Sequence, residues 1–528
     1  VADEPTLPLT IPALLRRNAA TQGAKAVLVT EERSLSHAAL DADSRALAAS
    51  LVAAGVGKGA RVGLMGPNGI DWAVTAMAVL RVGGVLVPLS TLLRPPELEA
   101  QLRVAAVTHL VLARDFRGRA YSDDLEAIAP GVLAGLARGE RHPALPSLRH
   151  VGFLGEDPGG PAVDEALVVA LEDRVVPADD LAILFTSGSR GAPKGTIHTH
   201  GSGLRATAAS LPARRVGEDE RLYIPMPFFW TGGFSTGLLS VIVAGATLIT
   251  EAVPEPDRTL ALLERERVSL FRGWPDQAAR LAAHPGFAAA DLSSLRAGSL
   301  PAVLPADQRP APGARANLFG MTETFGPYAG DLADVDLPPT ARGSCGRPFE
   351  GVEVRIVDPE TRAECAPGEA GEICVRGPNV LRGICGRTRD QVFDADGFTA
   401  TGDLGSLDAA GYLWYRGRRD DMFKVKGATV YPSEVEAALR AVGGVQQAHV
   451  TDVTGPDGQP AVGALVVTGV SLDDLVAGVR ERLSAFKVPT RWVVTTDAAA
   501  VPLLASAKVD KAGLQELLFR DGTPASGR

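Results

Sequence analysis

Thr186-Ser187-Gly188-Ser189-Arg190-Gly191-Ala192-Pro193-Lys194-Gly195 follows directly on the apolar run Leu181-Ala182-Ile183-Leu184-Phe185. The run has the length and composition of a buried strand. The ten residues after it bring together three glycines, three hydroxyls and two cations. Glycines let a backbone approach a ligand closely and turn its N–H groups onto an anion, hydroxyls add donors, and a lysine adds a point charge. That is the chemistry of a polyphosphate cradle. It is not the Walker pattern, which needs Gly before the Lys and Ser or Thr after it, because Lys194 stands between Pro193 and Gly195. Read alone, the same stretch also fits a Gly-rich surface turn.

On either side of this loop, short apolar strands alternate with helical periods through the first 340 residues or so. Residues 61–65, 70–80 and 84–88 read as strand, helix, strand. Residues 222–225, 234–243 and 247–250 repeat the pattern, a strand at 268–271 precedes a helix at 276–283, and 316–319 reads as a further strand. Such alternation predicts an α/β fold of mostly parallel sheets covered by helices. From about 343 to 415, short strands such as 352–357 and 371–375 are separated by Gly, Pro and Asp turns, which predicts a small antiparallel subdomain. After Asp420 a compact α+β pattern follows: helix 432–441, strand 448–453, strand 461–468, helix 472–483 and strand 491–495.

The chain has 528 residues, 46% of them apolar and 22% charged, which suits a globular protein of about two to four domain-sized units. Its net charge is −9, and its Lys and Arg are scattered, so nothing favours nucleic acid. The four cysteines, 345, 365, 374 and 385, show no CxxC spacing and no zinc pattern and read as reduced thiols of a cytoplasmic protein. Residues 1–5 lack the basic and apolar regions of a signal peptide. The uncharged stretch 228–250 is broken by Ala244-Gly245-Ala246-Thr247 and reads as core elements, with no membrane span expected. His198-Thr199-His200 offers only two alternate histidines, too few to converge on a metal.

Further segments carry a resemblance. Phe319-Gly320-Met321-Thr322-Glu323, Thr401-Gly402-Asp403, Gly417-Arg418-Arg419-Asp420-Asp421, Lys424-Val425-Lys426-Gly427 and Ser506-Ala507-Lys508-Val509-Asp510-Lys511 follow the loop in that order. With it they resemble the motifs of the adenylate-forming superfamily: acyl- and aryl-CoA synthetases, adenylation domains of peptide synthetases, and beetle luciferases. The resemblance implies a large N-terminal domain, 1–419, binding ATP and the acid. It also implies a small hinged α+β C-terminal domain, 420–528, carrying a catalytic lysine.

The reaction it implies is attack of a carboxylate on the α-phosphate of ATP, giving acyl-AMP and pyrophosphate. Two anions meet and a third leaves, so catalysis depends on positive charge and positioning. Under this resemblance Thr186, Ser187, Gly188, Ser189, Arg190, Gly191 and Lys194 hold the β- and γ-phosphates. Gly298, Ser299, Asn317, Phe319 and Gly320 fall among the nucleotide-binding positions. Thr322 donates to the α-phosphate, Glu323 binds Mg²⁺, and Asp403 and Arg418 take the ribose hydroxyls. Lys508 supplies the cation at the reacting phosphate, Asp420 is the hinge, and Lys424 and Gly427 line the acceptor tunnel, with Lys424 counted as catalytic beside Lys508 and Thr322. Two positions depart from the family: Arg190, where Ser or Thr is usual, and Ala507, where Gly is usual.

The acid pocket would be lined by the segment 225–233, with Phe229, Trp230, Gly232 and Gly233, by Gly298–Ser299 at its border, and by Met321, Phe325 and Gly326. Aromatic bulk at 229 and 230, with no Asp or Glu to meet an amino group, favours a hydrophobic carboxylic acid over an amino acid. CoA is the expected acceptor, on the match at Lys424 and Gly427. An amine acceptor, as in amide ligases of the coronafacic acid type, uses the same first half-reaction, and a degenerate nucleotide-binding homologue is a third reading.

Overall fold

A strand covered on both faces has no polar side to show, and Val85–Leu89 is buried at every position. It lies inside a seven-stranded sheet that runs, in spatial order, Gly383–Ile384, Lys194–Thr199, Asp180–Thr186, Val85–Leu89, Arg61–Met65, His109–Leu112 and His150–Phe153. The five strands from Asp180–Thr186 onwards are parallel, and Lys194–Thr199 returns antiparallel with Lys194 opposite Thr186. A five-stranded sheet has the order Leu270–Phe271, Arg221–Tyr223, Thr247–Ile249, Ala26–Val29 and Ser34–Ser36, all parallel except the last. Helix Ile70–Arg81 buries Trp72, Ala73, Ala76, Met77 and Leu80 between the strands of one βαβ unit. The fold is α/β with mixed, mostly parallel sheets, as the alternation in the sequence predicts.

The computed structural model describes residues 7–156, 163–186, 193–425, 428–455, 459–504 and 509–524. Its chain forms two units, Val1–Val354 with Val375–Thr399, and Arg355–Cys374 with Ala400–Arg528. The second unit contains the hairpin Thr399–Leu407 and Leu413–Arg418. It also contains the sheet Val445–Thr454, Pro460–Thr468, Arg491–Thr495, Thr523–Pro524, with helices Pro432–Arg440 and Leu472–Arg480. Leu439, Val450, Ala464, Val466, Leu475, Val479 and Trp492 form its core.

Two elements differ from the sequence expectation. The strand expected at 316–319 forms instead at Phe319–Met321, paired with Gly326–Gly330. A Cβ at Gly320 would lie 2.2 Å from the Gly326 carbonyl oxygen, so only glycine lets the two strands close there. The helix expected at 234–243 is divided into a widened π-helical segment, Gly232–Leu239, and a short α-helix, Ser240–Ala244. Packing at its start explains the early entry, because a Cβ at Gly233 would lie 2.1 Å from the Pro227 carbonyl oxygen. The uncharged stretch is thus turn, helix and strand, and no helix among the described residues is long and apolar enough to cross a membrane.

Candidate active site

The carboxyl ends of strands Arg221–Tyr223 and Leu270–Phe271 open onto the loops that carry the acid-pocket candidates, the usual place for a ligand in an open α/β sheet. After the first strand the chain runs through Phe228, buried against Trp72 with ring centroids 5.3 Å apart. Phe229 and Trp230 follow, with centroids 5.4 Å apart, and Trp230 packs 5.3 Å from Trp274, which stands after the second strand. Phe229 is buried, Trp230 is partly exposed and Trp274 is exposed, so the three rings form a wall graded from core to solvent.

Thr322, Glu323 and Thr324 form one 3-10 turn between the strands of the hairpin. The turn is held from three sides. The imidazole Nε2–H of His198 donates to the Thr322 carbonyl at 2.7 Å, the Leu381 amide donates to the Glu323 carbonyl at 2.8 Å, and the Ser235 hydroxyl donates to the Phe325 carbonyl. Phe325 takes a left-handed backbone, φ +57°, and Gly326 follows at +127°, which turns the chain sharply back. Burial pushes the His198 imidazole down to about 4, so it is neutral and serves the turn as a donor. The turn presents Thr322 Oγ1 3.2 Å from Thr231 Oγ1, and the Glu323 carboxylate forms an ion pair with the Lys194 ammonium. Lys194 begins its strand, so residues 129 positions apart meet at one point.

In the second unit Asp403 and Arg418 are directly opposed in the antiparallel hairpin. Arg418 Nη1 donates to Asp403 Oδ1 at 3.0 Å and to the Thr401 carbonyl at 3.1 Å. Gly402, φ +73°, leaves room for the guanidinium, since a Cβ there would lie 3.0 Å from Arg418 Nη2. The Asp403 carboxylate is buried and, held by one arginine, is suited to accept two neighbouring hydroxyls.

Residues 15–385 match the family model described as AMP-binding enzyme. The chain belongs to the AMP-binding enzyme family. Over 530 residues it is 33% identical to the 3-[(3aS,4S,7aS)-7a-methyl-1,5-dioxo-octahydro-1H-inden-4-yl]propanoyl:CoA ligase of Mycobacterium tuberculosis, covering 96% of this chain and 99% of that one. It is 32% identical to a feruloyl-CoA synthase of an Amycolatopsis species, covering 90% and 93% of the two chains. Among solved structures, the amide bond synthetase McbA from Marinactinospora thermotolerans superposes with a TM-score of 0.77 at 26% identity, covering 96% of this chain and 99% of that one.

As an AMP-binding enzyme the protein is an ATP-dependent, AMP-forming ligase, and its first unit gathers groups suited to that chemistry. Lys194 offers a cation and Glu323 a carboxylate, a hard oxygen donor, and here they neutralise each other. One carboxylate completed by nucleotide phosphates is an ordinary Mg²⁺ environment, so this donor set fits the ion, which would draw charge from the phosphates when bound.

Several sequence candidates take quieter places. Ser299 is buried and its hydroxyl accepts from the Phe271 amide at 3.1 Å, fastening Gly298 to the strand end. Phe325 is packed between His198 and Phe234, with centroids 4.8 and 6.0 Å away. Phe319 lies 5.5 Å from Tyr328, and Asn317 and Gly320 are exposed beside it. Asp420 sits in the exposed turn Arg419–Asp421, and Lys424 lies on strand Phe423–Val425. Ser187, Gly188, Ser189, Arg190, Gly191, Gly427 and Lys508 lie outside the described residues, and Thr186 ends its strand there.

Trp274 and Arg272 escape the sequence reading, and Thr231 and His198 enter it only as part of the segment 225–233 and as a rejected metal pair. All four have partners distant in the chain, and only Trp274, an exposed aromatic before a proline, carries a local hint. His198 and His200 have separate partners: His200 Nδ1 accepts from the Ile11 amide at 3.2 Å.

Proposed function

We propose that this ligase adenylates a hydrophobic, ring-bearing carboxylic acid and passes the acyl group to CoA, acting in the cytoplasm. The observation that carries the reading is the Lys194–Glu323 pair and Thr322 beside a wall of Phe229, Trp230 and Trp274. Acids of the two CoA-forming relatives, a propanoate on a fused ring and ferulate by their names, suit such a wall.

In this mechanism the glycine-rich loop with Thr186, Ser187, Gly188, Ser189, Arg190 and Gly191, together with Lys194, grips the β- and γ-phosphates. Thr322 donates to the α-phosphate, and Glu323 takes the magnesium. Asp403 and Arg418 hold the ribose. Gly298 and Ser299, with Asn317, Phe319 and Gly320, border the nucleotide. The acid lies along Phe229, Trp230, Gly232, Gly233, Met321, Phe325 and Gly326, with its carboxylate turned to the α-phosphate. Lys508 neutralises the charge that gathers on the α-phosphate oxygens as the carboxylate attacks and pyrophosphate leaves. The part 420–528 then turns about Asp420, so that Lys424 and Gly427 guide the thiol to the acyl-AMP.

Transfer to an amine is the second reading, and the likeness to the amide bond synthetase favours keeping it. The deciding experiment offers ATP, Mg²⁺ and a panel of aromatic and alicyclic acids, with CoA and amino acids present together, and reads product mass. Thioester is the expected product. Amide in its place moves the protein to the second reading, and no pyrophosphate from any acid refutes both.

A further inference from the structure

Several arginines in and beside the core of the first unit are met by carboxylates. Arg81, fully buried, lies 2.7 Å from Glu172 Oε1 and 2.8 Å from Asp41 Oδ1. Near the acid pocket Arg215 pairs with Asp334, Arg296 with Glu220 and Arg315 with Asp336. Arg214 and Arg272 break the pattern. Among the described residues no carboxylate oxygen lies within 4.0 Å of either.

Arg214 ends helix His200–Arg214 and is buried; its Nη1 donates to Ser240 Oγ at 2.6 Å and its Nη2 to the Thr236 carbonyl. Arg272 follows strand Leu270–Phe271. Its Nη2 donates to the Arg214 carbonyl at 2.8 Å, while its Nε is buried with no partner. Burial pushes the two guanidinium groups down, Arg214 to about 9 and Arg272 to about 10, and the neighbouring arginines act in the same direction. Asp334 and Glu220 act the other way on Arg272, but neither is in ion-pair contact with it and each is already paired, with Arg215 and Arg296. A desolvated cation and an unmet N–H are both unfavourable, and packing alone would be served better by a methionine.

Their position suggests what completes them. Arg272 is two residues before Trp274, part of the aromatic wall. It lies against Gly298, φ +99°, where a Cβ would stand 3.4 Å from Arg272 Nη2 and a side chain would cover the guanidinium. Arg214 grips the carbonyl of Thr236, on the π-helical segment that begins beside Trp230 and Thr231. Thr236 in turn lies beside Gly326, 3.5 Å from where its Cβ would be. Arg272 keeps some exposure, so a ligand can reach it.

We propose that Arg272, positioned by Arg214, forms the far end of the acid pocket and binds an oxygen acceptor, a ketone or a second carboxylate, on the part of the acid remote from its reacting carboxyl group. The proposal rests on the acid-activating reading above and adds one polar feature to an otherwise hydrophobic substrate. An oxygen there accepts from the guanidinium, and a carboxylate also supplies the missing counter-charge. An isosteric hydrocarbon leaves the group buried and unmet, and sites built for a hydrogen bond reject such analogues strongly.

The test compares three phenylpropanoic acids bearing para-acetyl, para-carboxyl or para-isopropyl groups, by pyrophosphate release with ATP and Mg²⁺. The wild-type protein should turn over the better of the two oxygen-bearing acids at least about tenfold more efficiently, in kcat/KM, than the isopropyl acid. The order of acetyl and carboxyl tells ketone from anion. Arg272→Met should bring that ratio close to one, and Arg272→Lys should keep part of it. A wild-type ratio of one or below overturns the proposal, as does an unchanged ratio in Arg272→Met. Should Arg272→Met not fold, the wild-type ratio decides, together with binding of the three acids followed by tryptophan fluorescence without ATP. Absence of pyrophosphate with every acid refutes the acid-activating reading, while the fluorescence series still reports whether the oxygen is preferred. Equal turnover of the matched acids refutes only the role of Arg272.

Discussion

Replacing Glu323 by Gln should make metal-free nucleotide bind more tightly while slowing catalysis. In the structure the Glu323 carboxylate ties up the Lys194 ammonium; the glutamate side chain is 8% exposed and the lysine 30%. A unit charge about 4 Å away is worth about 1 kcal/mol in water and about 4 kcal/mol at an effective dielectric of about 20. With the lysine nearly a third exposed, solvent screening places the net effect at about 1–2 kcal/mol. Glu323→Gln releases the lysine and removes a negative charge that repels phosphate. ATP in the presence of a chelator should therefore bind about tenfold tighter, since 1.4 kcal/mol is tenfold. With Mg²⁺ the sign reverses, because the oxygen donor proposed for the metal is now neutral. Half-saturation by Mg²⁺ should rise, and adenylation at a fixed Mg²⁺ level should fall about 100-fold or more. Calorimetry of ATP with and without Mg²⁺, alongside pyrophosphate release, measures both arms. If the Gln variant binds metal-free ATP no more tightly and needs no more Mg²⁺, Lys194 and Glu323 do not share the phosphate site.

Lys508→Ala should abolish acyl-AMP formation, a loss of about 3 kcal/mol or more in the barrier, yet spare thioester formation from synthetic acyl-AMP; equal loss in both steps counts against its role. Asp420→Pro, which fixes φ near about −65°, should leave adenylation intact and slow transfer to CoA about 100-fold, or about 2.7 kcal/mol, in rapid-mixing measurements. Transfer at the wild-type rate would show that no turn about Asp420 is needed. Trp230→Ala should shift the acid range towards bulkier rings and weaken the native substrate by opening the wall it shares with Phe229 and Trp274; a specificity ratio unmoved across a size series would place Trp230 outside the pocket. His37, His198 and His200 are each pushed down to about 4, chiefly by burial. The unfolded chain takes up these protons below about pH 6.5 and the folded chain does not. Stability should therefore be complete above about 6.5 and decline towards pH 4, by up to about 1.4 kcal/mol per pH unit for each histidine. Urea titrations at pH 7 and pH 5 measure the loss, and a flat profile refutes the buried neutral assignment.

Local pattern was enough to establish the α/β class, the strand ahead of the glycine-rich loop and the order of the motifs, because strand length, helical period and glycine turns act over a few residues. The interior character of 228–250 was legible for the same reason: its glycines and its break at 244–247 preclude one long helix. The strand before Thr322 was misplaced because its position depends on Gly320 meeting Gly326 across the hairpin, a fit that no run of residues displays. Tertiary structure alone decided that Lys194 neutralises Glu323, that His198 holds the turn of Thr322, and that Trp274 completes the wall begun at Trp230. It also decided that Arg214, buried, and Arg272, with its Nε buried, have no carboxylate beside them, while Arg81 has two. Charge compensation is a property of the space around a group, set by chain segments tens to hundreds of residues apart. A sequence shows which charges a protein carries, and folding determines which of them meet.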